Sequence, residues 1–245
     1  MNLNAELDAA ARSHAGRAAL VFASGEDGKE TTWSYRELRE KILRAAAAFR
    51  SSGIESGDRV AILHRNDPAF IVAYFGLVRI GAVAVPINFM IQSPEELRFM
   101  LGHCGAKGIV TQADLLPGLL RAKESLPGLK NLWVSDAVAP AGAVAFWDAV
   151  GASAPREELG PAAPGDIVAI VYSSGTTGVP KGVMMTHANL VSNCRATTRT
   201  FRFSQDDVFL ALLPMFHTFC WMVDVIIPLS LGAKIVNAVS VAPPK

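Results

Sequence analysis

The sequence predicts an α/β fold of mostly parallel sheets flanked by helices. Short apolar runs of strand length alternate with stretches that open on helix caps and close on glycine. Hydrophobic residues make up 51% of the 245 and charged residues 18%, enough to bury one large core or two modest ones.

The elements follow in order. Ser34 and Glu37 stand at capping-box spacing and open a helix through Arg44 and Phe49 that stops at Gly53. Arg59 to Leu63 is a short apolar strand, and Asn66, Asp67 and Pro68 start a helix with a cap and a first-turn proline. That helix ends near Gly81, and Ala82 to Ile87 is the next strand. Ser93 and Glu96 form a second capping box, with Pro94 at the first helical position, for a helix running to Gly102. Gly108 to Val110 returns to strand, and this alternation implies parallel pairing with right-handed crossovers. From Ala137 to Pro164 the composition turns to Ala, Pro and Gly, which marks a boundary between a first α/β unit (1–160) and a second (161–245). Asp166 to Tyr172 opens the second unit as an apolar strand, and Ala233 to Val236 reads as a strand near its end. The strand order begun at Ile167 is not closed by it, so the second unit is expected to be incomplete.

Composition excludes several functions. Lys and Arg number 23 against 22 Asp and Glu, and no basic run offers nucleic acid a footprint. Cys104, Cys194 and Cys220 are scattered and odd in number, so buried free thiols in a reducing cytoplasm are expected. His103 beside Cys104 does not make a metal site, because adjacent helical side chains diverge. Residues 209–231 are apolar enough to suggest a membrane span, but Pro214, His217, Asp224 and Pro228 interrupt them. A strand, a loop and a buried helix are expected there.

The chemistry concentrates after Tyr172. Ser173, Ser174, Gly175, Thr176, Thr177, Gly178, Val179, Pro180, Lys181 and Gly182 set four hydroxyls close together, with Gly175 and Gly178 freeing the backbone and Lys181 a mobile cation. Hydroxyls, inward N–H groups and an ammonium suit a polyphosphate. A strand feeding the loop puts it at a carboxyl sheet edge, where α/β proteins bind ligands. It is not a Walker A loop, since Pro180 stands where that pattern needs Gly and Gly182 where it needs Ser or Thr. The plain alternative is an ordinary Ser/Thr/Gly-rich surface loop.

This decapeptide, followed by Thr186, His187, Asn189 and Leu190, closely resembles the signature of AMP-forming acyl-CoA synthetases, the superfamily of adenylate-forming enzymes. Leu213 to His217 resembles the family's second block, and Gly81 to Asn88 its early strand and turn. The likeness spans nearly the whole chain.

The resemblance implies N-terminal α/β subdomains of an adenylate-forming enzyme, with the C-terminal domain absent. It implies a carboxylic acid, fatty or aromatic, that attacks the α-phosphorus of ATP, and coenzyme A as the thiol that then displaces AMP. By resemblance Ser173, Ser174, Gly175, Thr176, Thr177, Gly178 and Lys181 contact the nucleotide phosphates, and the Ser173 hydroxyl helps hold Mg2+. Thr176, Lys181 and His217 are the expected catalytic positions, while Phe216, His217 and Trp221 line the acid pocket. A lone His in an apolar stretch is also a common core residue, and Trp221 could equally be core. His187 is expected at a helix start rather than in chemistry. Later elements of the family lie downstream of residue 245, so these residues alone are not expected to catalyse adenylation. Exposed apolar surface makes a homodimer an expectation too. The alternative is a non-catalytic module that keeps phosphate contacts or binds another chain.

Overall fold

The computed structural model describes residues 2–24, 29–91, 93–136, 139–157, 162–173 and 180–237. Gly160 and Pro161 of the expected linker, and 241–245, lie outside them.

The chain begins with α1 (Leu3–Ser13), capped by the Asn2 side chain on the Asn4 N–H. The sequence pattern does not announce this helix, because Glu6 and Asp8 mask its apolar side, which is Leu3, Leu7, Ala10 and Ala11. Strands β1 (Ala18–Ser24) and β2 (Lys29–Ser34) pair antiparallel. Helix α2 (Tyr35–Ser51) opens on the expected reciprocal box: the Ser34 N–H donates to Glu37 Oε2 at 2.7 Å, and the Glu37 N–H donates to Ser34 Oγ at 3.3 Å. Gly53, at φ 81°, carries the chain out of the helix in the left-handed region that L side chains avoid.

The central α/β alternation follows as β3 (Arg59–Leu63), α3 (Pro68–Arg79), β4 (Val83–Ile87), α4 (Pro94–His103) and β5 (Ala106–Thr111). Asp67 caps α3, its Oδ1 accepting from the Ala69 N–H at 2.7 Å. Only half of the second expected box forms. Ser93 Oγ accepts from the Glu96 N–H, but its own proton goes to Glu95 Oε2 at 2.9 Å. Helix α5 (Leu116–Lys123), strands β6 (Asn131–Val134) and β7 (Val144–Ala145), and α6 (Phe146–Ala152) extend this layer. They were not read from sequence because each is short.

Past the Ala/Pro/Gly stretch come β8 (Ile167–Ser173), β9 (Lys181–Thr186), α7 (His187–Phe201) and β10 (Val208–Ala211). A continuous helical run then passes through α8 (Thr218–Cys220), a π-helical stretch (Trp221–Ile226) and α9 (Ile227–Leu231), before β11 (Lys234–Asn237). This is the strand, loop and helix expected for 209–231. Among the described residues no helix is long and apolar enough to cross a membrane.

The described strands form two sheets, one of seven in the order β7-β6-β5-β3-β4-β8-β9 and one of four in the order β10-β11-β1-β2. Most neighbours are parallel; the hairpins β1–β2 and β8–β9 are antiparallel. Sheet membership does not follow the division at residue 160. β8 lies parallel to β4 and adds to the first sheet, so no new strand order begins at Ile167. β1, near the start of the chain, instead pairs with β11.

Alternation along β3 shows why helices cover both faces of the larger sheet. Val60 and Ile62 join one core with α2, α3 and α7, whereas Ala61 and Leu63 join another with α4 and α5. The first core also takes in Leu20 and Ile235 of the smaller sheet. Every residue of α3 is buried, most of them in this core. Arg79, at the end of α3, is 4% exposed and donates to Asp8 of α1 at 2.9 Å; Arg39 donates to the same carboxylate at 2.9 Å.

Candidate active site

The site is built around the hairpin of β8 and β9. Ser173 pairs with Lys181 across the ladder, so the two residues form the neck of the connecting segment. Lys181, expected within the loop, is the first residue of a strand, and its neighbour explains why. A Cβ on Gly182 would come within 2.9 Å of Ile170 Cγ2, so glycine here lets β9 lie flat against β8. The expected phosphate contacts Ser174, Gly175, Thr176, Thr177 and Gly178 lie outside the described residues.

Pleat parity decides where the neck points. Ser173 and Val171 share a face of β8, and Lys181 and Met185 share the matching face of β9. Val171 and Met185 both border a cavity of about 560 Å3. The opposite face carries Ile170 and Tyr172, which pack on the core with α4. Tyr172 is held there by its hydroxyl, which donates to the Met100 carbonyl at 3.0 Å and accepts from His103 Nδ1 at 2.9 Å. Burial pushes the Tyr172 hydroxyl well up, so it stays a neutral anchor beside the neck. Cys104 Sγ donates to the Leu101 carbonyl, and its thiol also lies beside the Tyr172 hydroxyl.

Helix α7 forms the second wall. Thr186 caps it in a reciprocal box with Asn189: the Asn189 N–H donates to Thr186 Oγ1 at 3.2 Å and the Thr186 N–H to Asn189 Oδ1 at 3.0 Å. His187 follows as a buried residue whose Nδ1 accepts the Leu3 N–H at 3.2 Å, with burial lowering its basicity. It is a neutral strap for α1, at the helix start where it was expected. Asn189, Asn193 and Thr197 recur every four residues on one face of α7 and border the cavity. Sequence reading missed Asn193 and Thr197, although their spacing from Asn189 was a visible signal.

The third wall comes from the turn after β10 and the helical run. Phe216, Phe219 and Trp221 border the cavity, but His217 does not. His217 is exposed and caps α8, its Nδ1 accepting the Phe219 N–H at 3.2 Å; its Nε2 is left for other partners. Trp221 is a core residue that also borders the cavity. It is 5% exposed, with its ring 4.4 Å from Tyr74 and 5.1 Å from Phe70, and an edge of it reaches the cavity. A π-helical stretch places Trp221, Met222 and Val223 together at this wall, an irregularity frequent at functional sites.

The arrangement puts a hydroxyl and an ammonium at a sheet edge, on the face shared with an uncharged cavity. Among the described residues, none bordering that cavity carries a formal charge. Among the described residues no group of three or more His, Cys, Asp or Glu could hold a metal ion.

Known proteins resemble this chain along nearly its whole length. The family model described as AMP-binding enzyme matches residues 7–244. A crotonobetaine/carnitine–CoA ligase of Proteus sp. is 35% identical over 226 residues, covering 90% of this chain and 43% of that protein. The 4-coumarate–CoA ligase 3 of Oryza sativa subsp. japonica is 35% identical over 219 residues, covering 86% of this chain and 38% of that protein. Among solved structures, an anthranilate CoA ligase in complex with anthranoyl-AMP superposes with a TM-score of 0.91 at 26% identity, over 99% of this chain and 46% of that one. The chain thus spans less than half the length of each of these three proteins.

Proposed function

This chain belongs to the AMP-binding enzyme family, and on that premise we propose that it is the N-terminal part of an ATP-dependent, AMP-forming acid–thiol ligase acting on fatty or aromatic acids. A carboxylate oxygen of the acid attacks the α-phosphorus of ATP, and the bond to pyrophosphate breaks. The sulfur of coenzyme A then takes the acyl carbon, and AMP leaves with the oxygen. The observation that carries this reading is the shared face of β8 and β9, which bears Ser173 and Lys181 at one end and walls an uncharged cavity with Val171 and Met185.

The chain's own residues would do three things. Lys181, with Ser173 opposite, would hold the nucleotide's phosphates and offset their charge, and Ser174, Gly175, Thr176, Thr177 and Gly178 would continue that cradle. The neck's donor chemistry fits Mg2+, a hard cation that takes oxygen ligands: Ser173 would supply a hydroxyl and the nucleotide's phosphates the rest, and the ion would neutralise phosphate charge. Phe216 and Trp221 would line the acid's apolar body, while His217, with Nε2 free, stands beside them to contact the reacting end. An uncharged lining favours an acid whose body is itself uncharged, because an ion buried without a partner is costly. Positioning and charge stabilisation, rather than covalent chemistry by the protein, supply the rate.

The test is AMP and pyrophosphate release by the full-length protein with ATP, Mg2+, coenzyme A and a panel of acids. Release dependent on straight-chain or aromatic acids is expected. No release with any acid, or release only with acids bearing a cationic body, would overturn the reading.

A further inference from the structure

We infer that Asn66 is a positioning residue for the acid pocket, setting the place of the Phe216 ring and so the choice of acid. The inference rests on the ligase reading above and deepens it.

Asn66 lies in the loop from β3 to α3, at the carboxyl edge of the seven-stranded sheet, and is 7% exposed. Its amide reaches 147 residues along the chain and uses both ends. Nδ2 donates to the Leu213 carbonyl at 2.8 Å, and Oδ1 accepts the Met215 N–H at 2.8 Å. The side chain therefore reads the main chain on either side of Pro214, which has no N–H of its own to offer. The mount is rigid on its own side. The next residue, Asp67, caps α3, and the preceding strand is interior to the sheet.

The other side of the clamp carries the pocket. Met215 is 1% exposed, and the His217 N–H closes a turn on the Pro214 carbonyl at 3.0 Å. Phe216 therefore leaves the clamped segment directly, with the turn closing behind it. Its ring meets Phe89 edge-on at 5.8 Å, and the Arg65 guanidinium lies over Phe89 at 5.1 Å. Two consecutive residues of one loop thus support the same turn, Arg65 through an aromatic ring and Asn66 through the backbone. A clamp formed by one amide with both ends used tolerates no substitute. Aspartate would turn an oxygen on the Leu213 carbonyl, and alanine would leave the Met215 N–H without its partner. Either change frees the turn, and a shift of about 1 Å in a pocket wall is enough to alter substrate positioning.

The experiment uses the full-length protein and two acids of different shape, benzoate and octanoate. Asn66→Asp and Asn66→Ser are compared with Asn4→Ala. Asn4 is another buried amide, 2% exposed, that donates to the Val78 carbonyl at 3.2 Å away from the cavity. The expected result is a change of about tenfold in the ratio of kcat/KM for the two acids. KM for the acid should rise more than KM for ATP. Asn4→Ala should lower Tm and leave the ratio alone. In a Phe216→Ala background the Asn66 substitutions should no longer move the ratio, because the ring they place is gone. Should Asn66→Asp fail to fold, Asn66→Ser carries the comparison. Variants that lose stability but keep the parent's acid ratio and KM values would overturn the assignment alone. An unaltered protein that forms no AMP with any acid would overturn the ligase reading and this assignment together.

Discussion

Two apolar helical segments meet at Trp221, and they do different work. All of α3, from Pro68 to Arg79, is regular and buried, and it presents Phe70, Tyr74 and Phe75 to the indole ring. The run from Thr218 to Leu231 is similarly apolar, but it widens into a π-helical stretch, exposes Phe219 and keeps Asp224 half-buried. Apolar composition therefore does not distinguish a scaffold helix from one that shapes a pocket. The difference is made by backbone geometry: the extra residue in a π turn rotates the next side chains off the core face.

The comparison breaks most sharply if α3 proves dispensable. Phe75→Ala removes a ring that is 1% exposed and stacked on Trp221 at 5.6 Å. A loss of about 3–5 kcal/mol is expected in urea unfolding, as for other buried Phe truncations. A loss under about 1 kcal/mol would show that the aromatic cluster does not hold the scaffold.

Lys181→Ala tests the site side. Lys181 is exposed at the start of β9, so the substitution should leave Tm nearly unchanged. In the full-length protein it should weaken ATP binding or adenylation by about tenfold or more, since charge-assisted hydrogen bonds to phosphate contribute about 1.5–3 kcal/mol each. Unchanged adenylation kinetics would remove Lys181 from that role.

Two carboxyl groups sharpen the contrast with smaller effects. Burial pushes Asp8 up, but hydrogen bonds from Arg79 of α3 and from Arg39 outweigh it and hold the carboxyl below its ordinary 3.8. A lowered folded value means that the unfolded chain binds the proton more readily. The stabilisation is thus present above about pH 4 and lost as pH falls through the folded value. Chemical denaturation of Asp8→Asn and the parent should differ at pH 7 and converge in acid.

Asp224, on the π-helical stretch, behaves oppositely. Burial raises its carboxyl, so the folded state binds the proton more readily, and stability declines as pH rises from 3.8 through the folded value. Asp224→Asn should therefore raise Tm slightly at neutral pH and change nothing in strong acid. A loss of Tm at neutral pH that disappears in strong acid would show that the carboxylate is held by a partner rather than penalised by burial.

Much of the fold was legible because its signals are local. The Ser34–Glu37 box, the Asp67–Pro68 start, Gly53 and the run Arg59–Leu63 each act within a few residues, and each element appears where these signals put it. Helix α1 and strand β1 were passed over because their apolar sides are short and gain meaning only against α2 and β11. Within the site, the resemblance picked out Ser173, Lys181, Phe216 and Trp221. The parity that turns Ser173 and Lys181 toward one cavity depends on a ladder register that no local pattern specifies.

By itself, then, the sequence determined the α/β alternation, the caps, the hydroxyl-rich segment after Tyr172 and membership of a family of AMP-binding enzymes. These follow from periodicity, backbone preference and side-chain chemistry, which act over a turn or two of chain. Only the tertiary structure decided that β8 joins the first sheet, that His187 straps α1, and that Asn66 holds Leu213 and Met215. Such pairings join residues about 80 to 180 positions apart, where closing the loop costs entropy that only the whole packed core offsets.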